Sequence, residues 1–152
     1  MIKQQLFEQV DHYISELLAK EDEALKETIL SLDREMLPQH SISANQGKFL
    51  QVLMKACNAN RVLELETLGG YSTIWMARAL SENGKLITID FDPKHSAVAQ
   101  KNIVNAGLGE KVECITGKAL DILEHLVSQK TEPFDFIFID ADNRSITNLF
   151  KV

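Results

Sequence analysis

The chain has 152 residues, 45% of them apolar and 25% charged, which fits one globular domain and argues against disorder along most of its length. Lys plus Arg is 16 against 22 for Asp plus Glu, a formal charge of -6, so a surface built to neutralise nucleic-acid phosphates is not expected. No run of about 18 apolar residues predicts a membrane span, and the first residues lack the apolar stretch of a signal peptide.

Residues 3–19 place Leu6, Val10, Tyr13, Ile14, Leu17 and Leu18 at spacings of three and four, which predicts an amphipathic helix. A second helix is expected over 22–35, with Leu25, Ile29 and Leu32 on one face. Pro38 and the polar run at 39–43 break it. A third helix follows from about Asn45 to Asn58.

From residue 61 the pattern changes. Arg61–Leu65, Lys85–Asp90, Val112–Thr116 and Phe134–Asp140 have strand length and β-branched content. Ser72–Ser81, Pro93–Ala106 and Ala119–Ser128 have helix length and lie between them. Such alternation predicts βαβ units, a parallel sheet and helices on both faces. The expected organisation is one domain: a helical cap at 1–60, an α/β core at 61–142 and an atypical tail at 143–152.

Ligands of open parallel sheets bind at the carboxyl ends of the strands. The first strand runs into Glu64-Leu65-Glu66-Thr67-Leu68-Gly69-Gly70-Tyr71-Ser72. The second ends in Asp90, about 20 residues after the Gly pair, the spacing of an acid that accepts ribose hydroxyls. A dinucleotide site needs glycines at three places so that backbone N–H groups approach a pyrophosphate. Here Glu64 and Glu66 stand at the first two, and carboxylates would repel phosphate. The residues favour a ribose-bearing ligand with positive charge and no phosphate. S-adenosylmethionine, with its sulfonium and ammonium, meets that description. Glu64 can pair with the ammonium, and Ser72 near a helix N-terminus can hold the carboxylate. Plain readings compete: a strand-end acid at Glu64, a tight turn at Gly69-Gly70, a helix start at Asp90-Phe91-Asp92-Pro93.

The fourth strand ends in Asp140, and a carboxylate there suits a hard cation such as Mg²⁺ or is a solvated strand end. His12, His40, His95 and His125 have no ligand spacing and read as surface or cap residues. Trp75 reads as core. Cys57 and Cys114 have no CxxC companion and read as two buried free thiols of a reducing cytosol, so the expected location is cytoplasmic.

The segments ELETLGGYSTIWMARAL, LITIDFDPKHSAVAQKNIVNAGL, GKALDIL and PFDFIFIDAD resemble the caffeoyl-CoA and catechol O-methyltransferase group, in its bacterial form, from about Ile42 to Asp142. The resemblance implies an α/β, Rossmann-like class I methyltransferase sheet with helices on both faces and an N-terminal helical cap. It implies S-adenosylmethionine as cofactor, with a divalent cation such as Mg²⁺, and a small catechol-like hydroxyl acceptor. Its cofactor positions fall on Ile42, Glu64, Glu66, Thr67, Ser72, Asp90, Ala119 and Asp140. Ile42 would contact the methionine end through its backbone, Ala119 would sit by the adenine, and Asp140 would be the first metal ligand.

Three departures stand out. Glu66 takes the place of a family glycine, at a backbone strain of about 1–2 kcal/mol if φ is positive. Asn143 replaces the Lys proposed as base, and Asn takes no proton. Relatives run on for further strands and an Asp-Asn pair, so a C-terminally truncated chain with impaired activity and an apolar edge strand is expected. A homodimer is the oligomer in view. The alternatives are a non-catalytic cofactor-binding or oligomerising remnant, a tRNA hydroxyuridine methyltransferase, and a nicotinamide-binding domain, the last disfavoured by Glu64 and Glu66.

Overall fold

A computed structural model of the chain describes residues 2–140; Asp142, Asn143 and the tail at 143–152 lie outside the described residues. Three helices come first: α1 (Ile2–Leu18), α2 (Glu23–Arg34) and α3 (Ala44–Ala56). The alternating part follows as β1 (Arg61–Leu65), α4 (Tyr71–Ala77), β2 (Lys85–Asp90), α5 (Pro93–Asn105), β3 (Val112–Thr116), α6 (Ala119–Ser128) and β4 (Phe136–Ile139).

Local chemistry sets the helix starts. The Asp22 side chain accepts from Leu25 N at 3.1 Å and opens α2. Ser43 and Gln46 form a reciprocal capping box at α3. Asp92 caps α5, with Pro93 in its first turn where a missing N–H costs nothing. Two expected ends move. Helix α4 stops at Ala77, short of Ser81, because Ala79 and Leu80 turn back onto Met76 and Ala77. Strand β4 starts at Phe136, because Asp135 spends its carboxylate on Asn60 N and Arg61 N, each at 2.8 Å.

The four strands are parallel in the order β3-β2-β1-β4. The chain builds outward from β1 to β3 and then crosses to the other side of β1. The order therefore reverses beside β1, and the crevice there faces the carboxyl ends of β1, β2 and β4. Side chains alternate across the sheet. Val62 and Leu86 join Ile74, Met76, Ala99 and Ile103 beneath α4 and α5. Leu63, Leu65 and Ile89 meet Ile122 and Leu123 of α6 on the opposite face.

The cap makes a further layer. Helix α3 packs on α4, and α2 packs on α4 and α5. Gly47 lets α3 approach: a Cβ there would lie 2.3 Å from the ring of buried Trp75. Helix α1 packs on α3, yet its apolar stripe is open, with Leu6, Val10, Leu17 and Leu18 all exposed. Strand β4 is at the end of the sheet among the described residues, and Ile137 on it is 53% exposed. The two thiols expected to be buried are not: Cys57, just past the end of α3, is exposed, and Cys114, on β3, is half-buried.

One buried group in β1 is ionisable. Glu64 has no exposed surface and receives hydrogen bonds from Ser72 Oγ and Thr73 Oγ1, each at 2.5 Å. Burial pushes its carboxyl up from the ordinary 4.5 to about 7, against the downward pull of those hydroxyls. Between those values the folded chain keeps a proton that the unfolded chain has lost. The Glu64 contribution to stability is therefore full below pH 4.5 and declines until about pH 7. Urea unfolding from pH 4 to 8 should show a loss on the order of 3 kcal/mol in this window relative to Glu64→Gln, which has no proton to lose. Parallel profiles for the two proteins would show that Glu64 ionises as it does in water.

Candidate functional site

The carboxyl end of β1 passes into a tight turn at residues 66–70. Glu66 (φ 72°), Leu68 (φ 49°) and Gly70 (φ 84°) all take left-handed backbone. Two side-chain residues in that region are unusual and cost strain. Gly70 also lies against Ala99 of α5, with a Cβ meeting it at 3.4 Å.

A carboxylate from the next strand holds the turn in shape. Asp90 Oδ2 accepts from Thr67 N at 3.0 Å and from Leu68 N at 2.9 Å. Asp90 Oδ1 accepts from Asp92 N at 2.9 Å, and His95 Nδ1 stands 3.2 Å from the same oxygen. Beneath the turn, the hydroxyls of Thr67 and Thr88 meet at 2.6 Å, and Glu66 N donates to Ile89 O at 2.8 Å. The β1 turn and the β2–α5 loop are thus laced together.

A cleft of about 620 Å³ opens above this lacing. One wall is the segment before α3, with Pro38, His40, Ser41 and Ile42. The floor is Glu66, Thr67 and Leu68, followed by Tyr71 and Ser72 at the start of α4. Asp90, Phe91, Asp92 and His95 form the second wall, and Asp140 comes in from the end of β4. Tyr71 ties the floor to the cap, donating through its hydroxyl to Glu21 at 2.7 Å. Partial burial holds the Asp140 carboxyl above its usual range. Four carboxylates in one cleft favour cationic groups over phosphate.

The expected positions divide into four sets. Ile42, Glu66, Thr67, Ser72, Asp90 and Asp140 share the cleft. Glu64 lies beneath it, fully buried, and in this arrangement reaches the cleft through Ser72. Ala119 begins α6 and packs with Ile122 and Leu123 on the α6 face of the sheet; it is not among the cleft-lining residues. Asn143 lies outside the described residues. Among the described residues no three His, Cys, Asp or Glu side chains converge as a metal-ligand group. Asp140 by itself therefore does not make a divalent-cation site, since such ions take six or more oxygens.

His40 is an exposed cap residue, as its sequence context suggests, and His95 is half-buried; both also line the cleft, a role the sequence pattern does not assign them. A signal for His95 was present: it sits in the first turn of the helix that follows a strand-end acid, and that turn abuts the strand end. Nothing in the pattern around His40 marked it.

A family model described as O-methyltransferase matches residues 15–152. A catechol O-methyltransferase of Niastella koreensis is 58% identical over 147 residues, covering 97% of this chain and 66% of the relative. A caffeoyl-CoA O-methyltransferase of Petroselinum crispum is 33% identical over 139 residues, covering 87% and 56%. The chain spans about two thirds or less of the length of these curated relatives. The crystal structure of the O-methyltransferase TomG from Streptomyces achromogenes, involved in tomaymycin synthesis and solved in complex with SAM, superposes with a TM-score of 0.92 at 42% identity, covering 99% of this chain and 68% of that one. The parallel sheet, its helical layers and these matches agree: the chain belongs to the O-methyltransferase family.

Proposed function

We propose that the cleft binds S-adenosylmethionine and that the protein serves methyl transfer to a hydroxyl of a small, catechol-like acceptor. The observation that carries this reading is Asp90, a carboxylate at the end of β2, laced to a turn that lacks the three phosphate-binding glycines. The SAM bound to TomG and the catechol and caffeoyl-CoA activities named for relatives support it.

Bound there, the cofactor supplies a methyl group on a positively charged sulfur. The chain's own residues position it and exclude water. Asp90 takes the ribose hydroxyls. Ser72 donates a hydrogen bond to Glu64, so in place of the expected grip on the ligand's carboxylate its oxygen lone pairs are left for the ammonium. Ile42 and Thr67 line the methionine end, and Ala119, at the start of α6 beyond the cleft lining, would flank the adenine. Asp140 stands at the acceptor end. A divalent cation there would need ligands beyond the described residues and would supply charge to stabilise the ionised acceptor hydroxyl. Methylation of a hydroxylated tRNA base is the alternative acceptor class, set against the formal charge of -6. Pairing of two copies is proposed from the open apolar stripe of α1, and the cytoplasm is the proposed location.

Calorimetry should show S-adenosylhomocysteine binding while NAD does not, and Asp90→Ala should weaken binding by about 1–3 kcal/mol. Tighter NAD binding would overturn the cofactor reading. Glu66→Gly removes a side chain at φ 72° and should tighten binding of the same ligand; lost affinity would mean that Glu66 contacts the ligand's positive groups. The 152-residue chain, assayed alone with a catechol and Mg²⁺, should turn over poorly beside a full-length relative, because Asn143 takes no proton and, among the described residues, Asp140 belongs to no metal-ligand group. Robust turnover lost in Asp140→Ala would show that the chain completes the acceptor site.

A further inference from the structure

The acceptor positions of Asp90 are already taken. A carboxylate offers about four lone-pair directions. Among the described residues, three meet backbone N–H groups, of Thr67, Leu68 and Asp92. The remaining approach, to Oδ1, is covered by the imidazole of His95, its Nδ1 3.2 Å away. The Asp90 side chain lines the cleft but is only 6% exposed, so among the described residues the approach left for a further hydroxyl is the one that His95 borders.

The four contacts are not equivalent. The three N–H groups belong to the backbone that shapes the turn and the α5 start, and releasing one would undo that shape. His95 is held differently. Its contacts are a side-chain approach to Asp90 and a long one, 4.0 Å, from Nε2 to Asp92 Oδ2. It stands on the first turn of α5 and borders the cleft. A change of χ1 moves its ring at the cost of a rotamer change, with no backbone motion.

We infer that His95 competes with the ligand's vicinal diol for Asp90 Oδ1, and so sets the affinity and the sugar selectivity of the cleft. This rests on the proposed cofactor reading, and it adds a residue that the reading does not contain. A ribose hydroxyl can donate to Oδ1 only when the ring turns aside. Each binding event therefore exchanges one polar contact of Asp90 for another. Ligands with a hydroxyl to offer recover the lost contact. Ligands lacking the diol do not, and the imidazole stays where it is. His95 is a positioning residue in this scheme, acting through Asp90.

The test titrates S-adenosylhomocysteine, and an analogue lacking both ribose hydroxyls, into the chain and into His95→Ala and His95→Phe. The alanine variant removes the ring, and the phenylalanine variant keeps its bulk without the N–H. Both should bind S-adenosylhomocysteine about 3- to 10-fold more tightly than the parent, and the deoxy analogue should not share the gain. In the parent, the side-chain ¹⁵N resonance of His95 Nδ1 should shift on addition of S-adenosylhomocysteine and stay put with the analogue. Equal or weaker binding by both variants, or a His95 resonance unmoved by a ligand that binds, overturns the inference and leaves the cofactor reading intact. Absence of S-adenosylhomocysteine binding by parent and variants alike overturns the cofactor reading and this inference with it.

Discussion

The carboxylate of Asp90 is the constraint on which the cleft depends. It is placed by its parallel register with Thr116 of β3 and then spends two oxygens on three backbone N–H groups from two separate loops. Such charged hydrogen bonds are worth more than neutral ones. They compensate a turn that carries two non-glycine residues in left-handed backbone, Glu66 and Leu68. The strain and the lacing are two sides of one arrangement: the turn coils tightly enough to present its N–H groups because a buried anion receives them.

A second carboxyl group lies beneath that floor. Glu64 is in the interior of β1, facing the same side of the sheet as Val62, where an apolar residue would otherwise pack. It is tolerated because the first turn of α4 delivers two hydroxyls, from Ser72 and Thr73. Burial still raises its affinity for a proton. The residue therefore couples the core to the cleft. Ser72 borders the cleft and takes its hydrogen-bonding direction from Glu64. The outer helices add a wall through the Pro38–Ile42 segment and a tie through Tyr71 and Glu21.

Much of this was legible in the residues. Strand and helix positions followed from β-branched runs, caps and breakers, because those signals are local. Glu64, Ser72, Asp90 and Asp140 stood out because a strand end in a parallel sheet is a predictable address. What failed to show was pairwise. Helix α1 has a clear apolar stripe, and periodicity implies a covered face; among the described residues that stripe is largely exposed. The sequence pattern states that a face is apolar and says nothing of what meets it. The same limit applies to Glu64, where the letter E after VL marks a cost without naming the hydroxyls that meet it.

By itself the sequence determined the α/β class, the single domain with its helical cap, and the set of acids gathered at one end of the sheet, since periodicity, capping and strand-end placement act over a few residues. Only the tertiary structure decided that Glu64 lies under the floor rather than in the cleft, that Ala119 falls outside the cleft lining, and that His95 covers Asp90. Those outcomes depend on which atoms meet between elements, whether close in the chain, as with Glu64 and Ser72 or Asp90 and His95, or 23 residues apart, as with Thr67 and Asp90. Distances of that kind are settled by the packing of β1, β2 and α5 against one another, which no local pattern encodes.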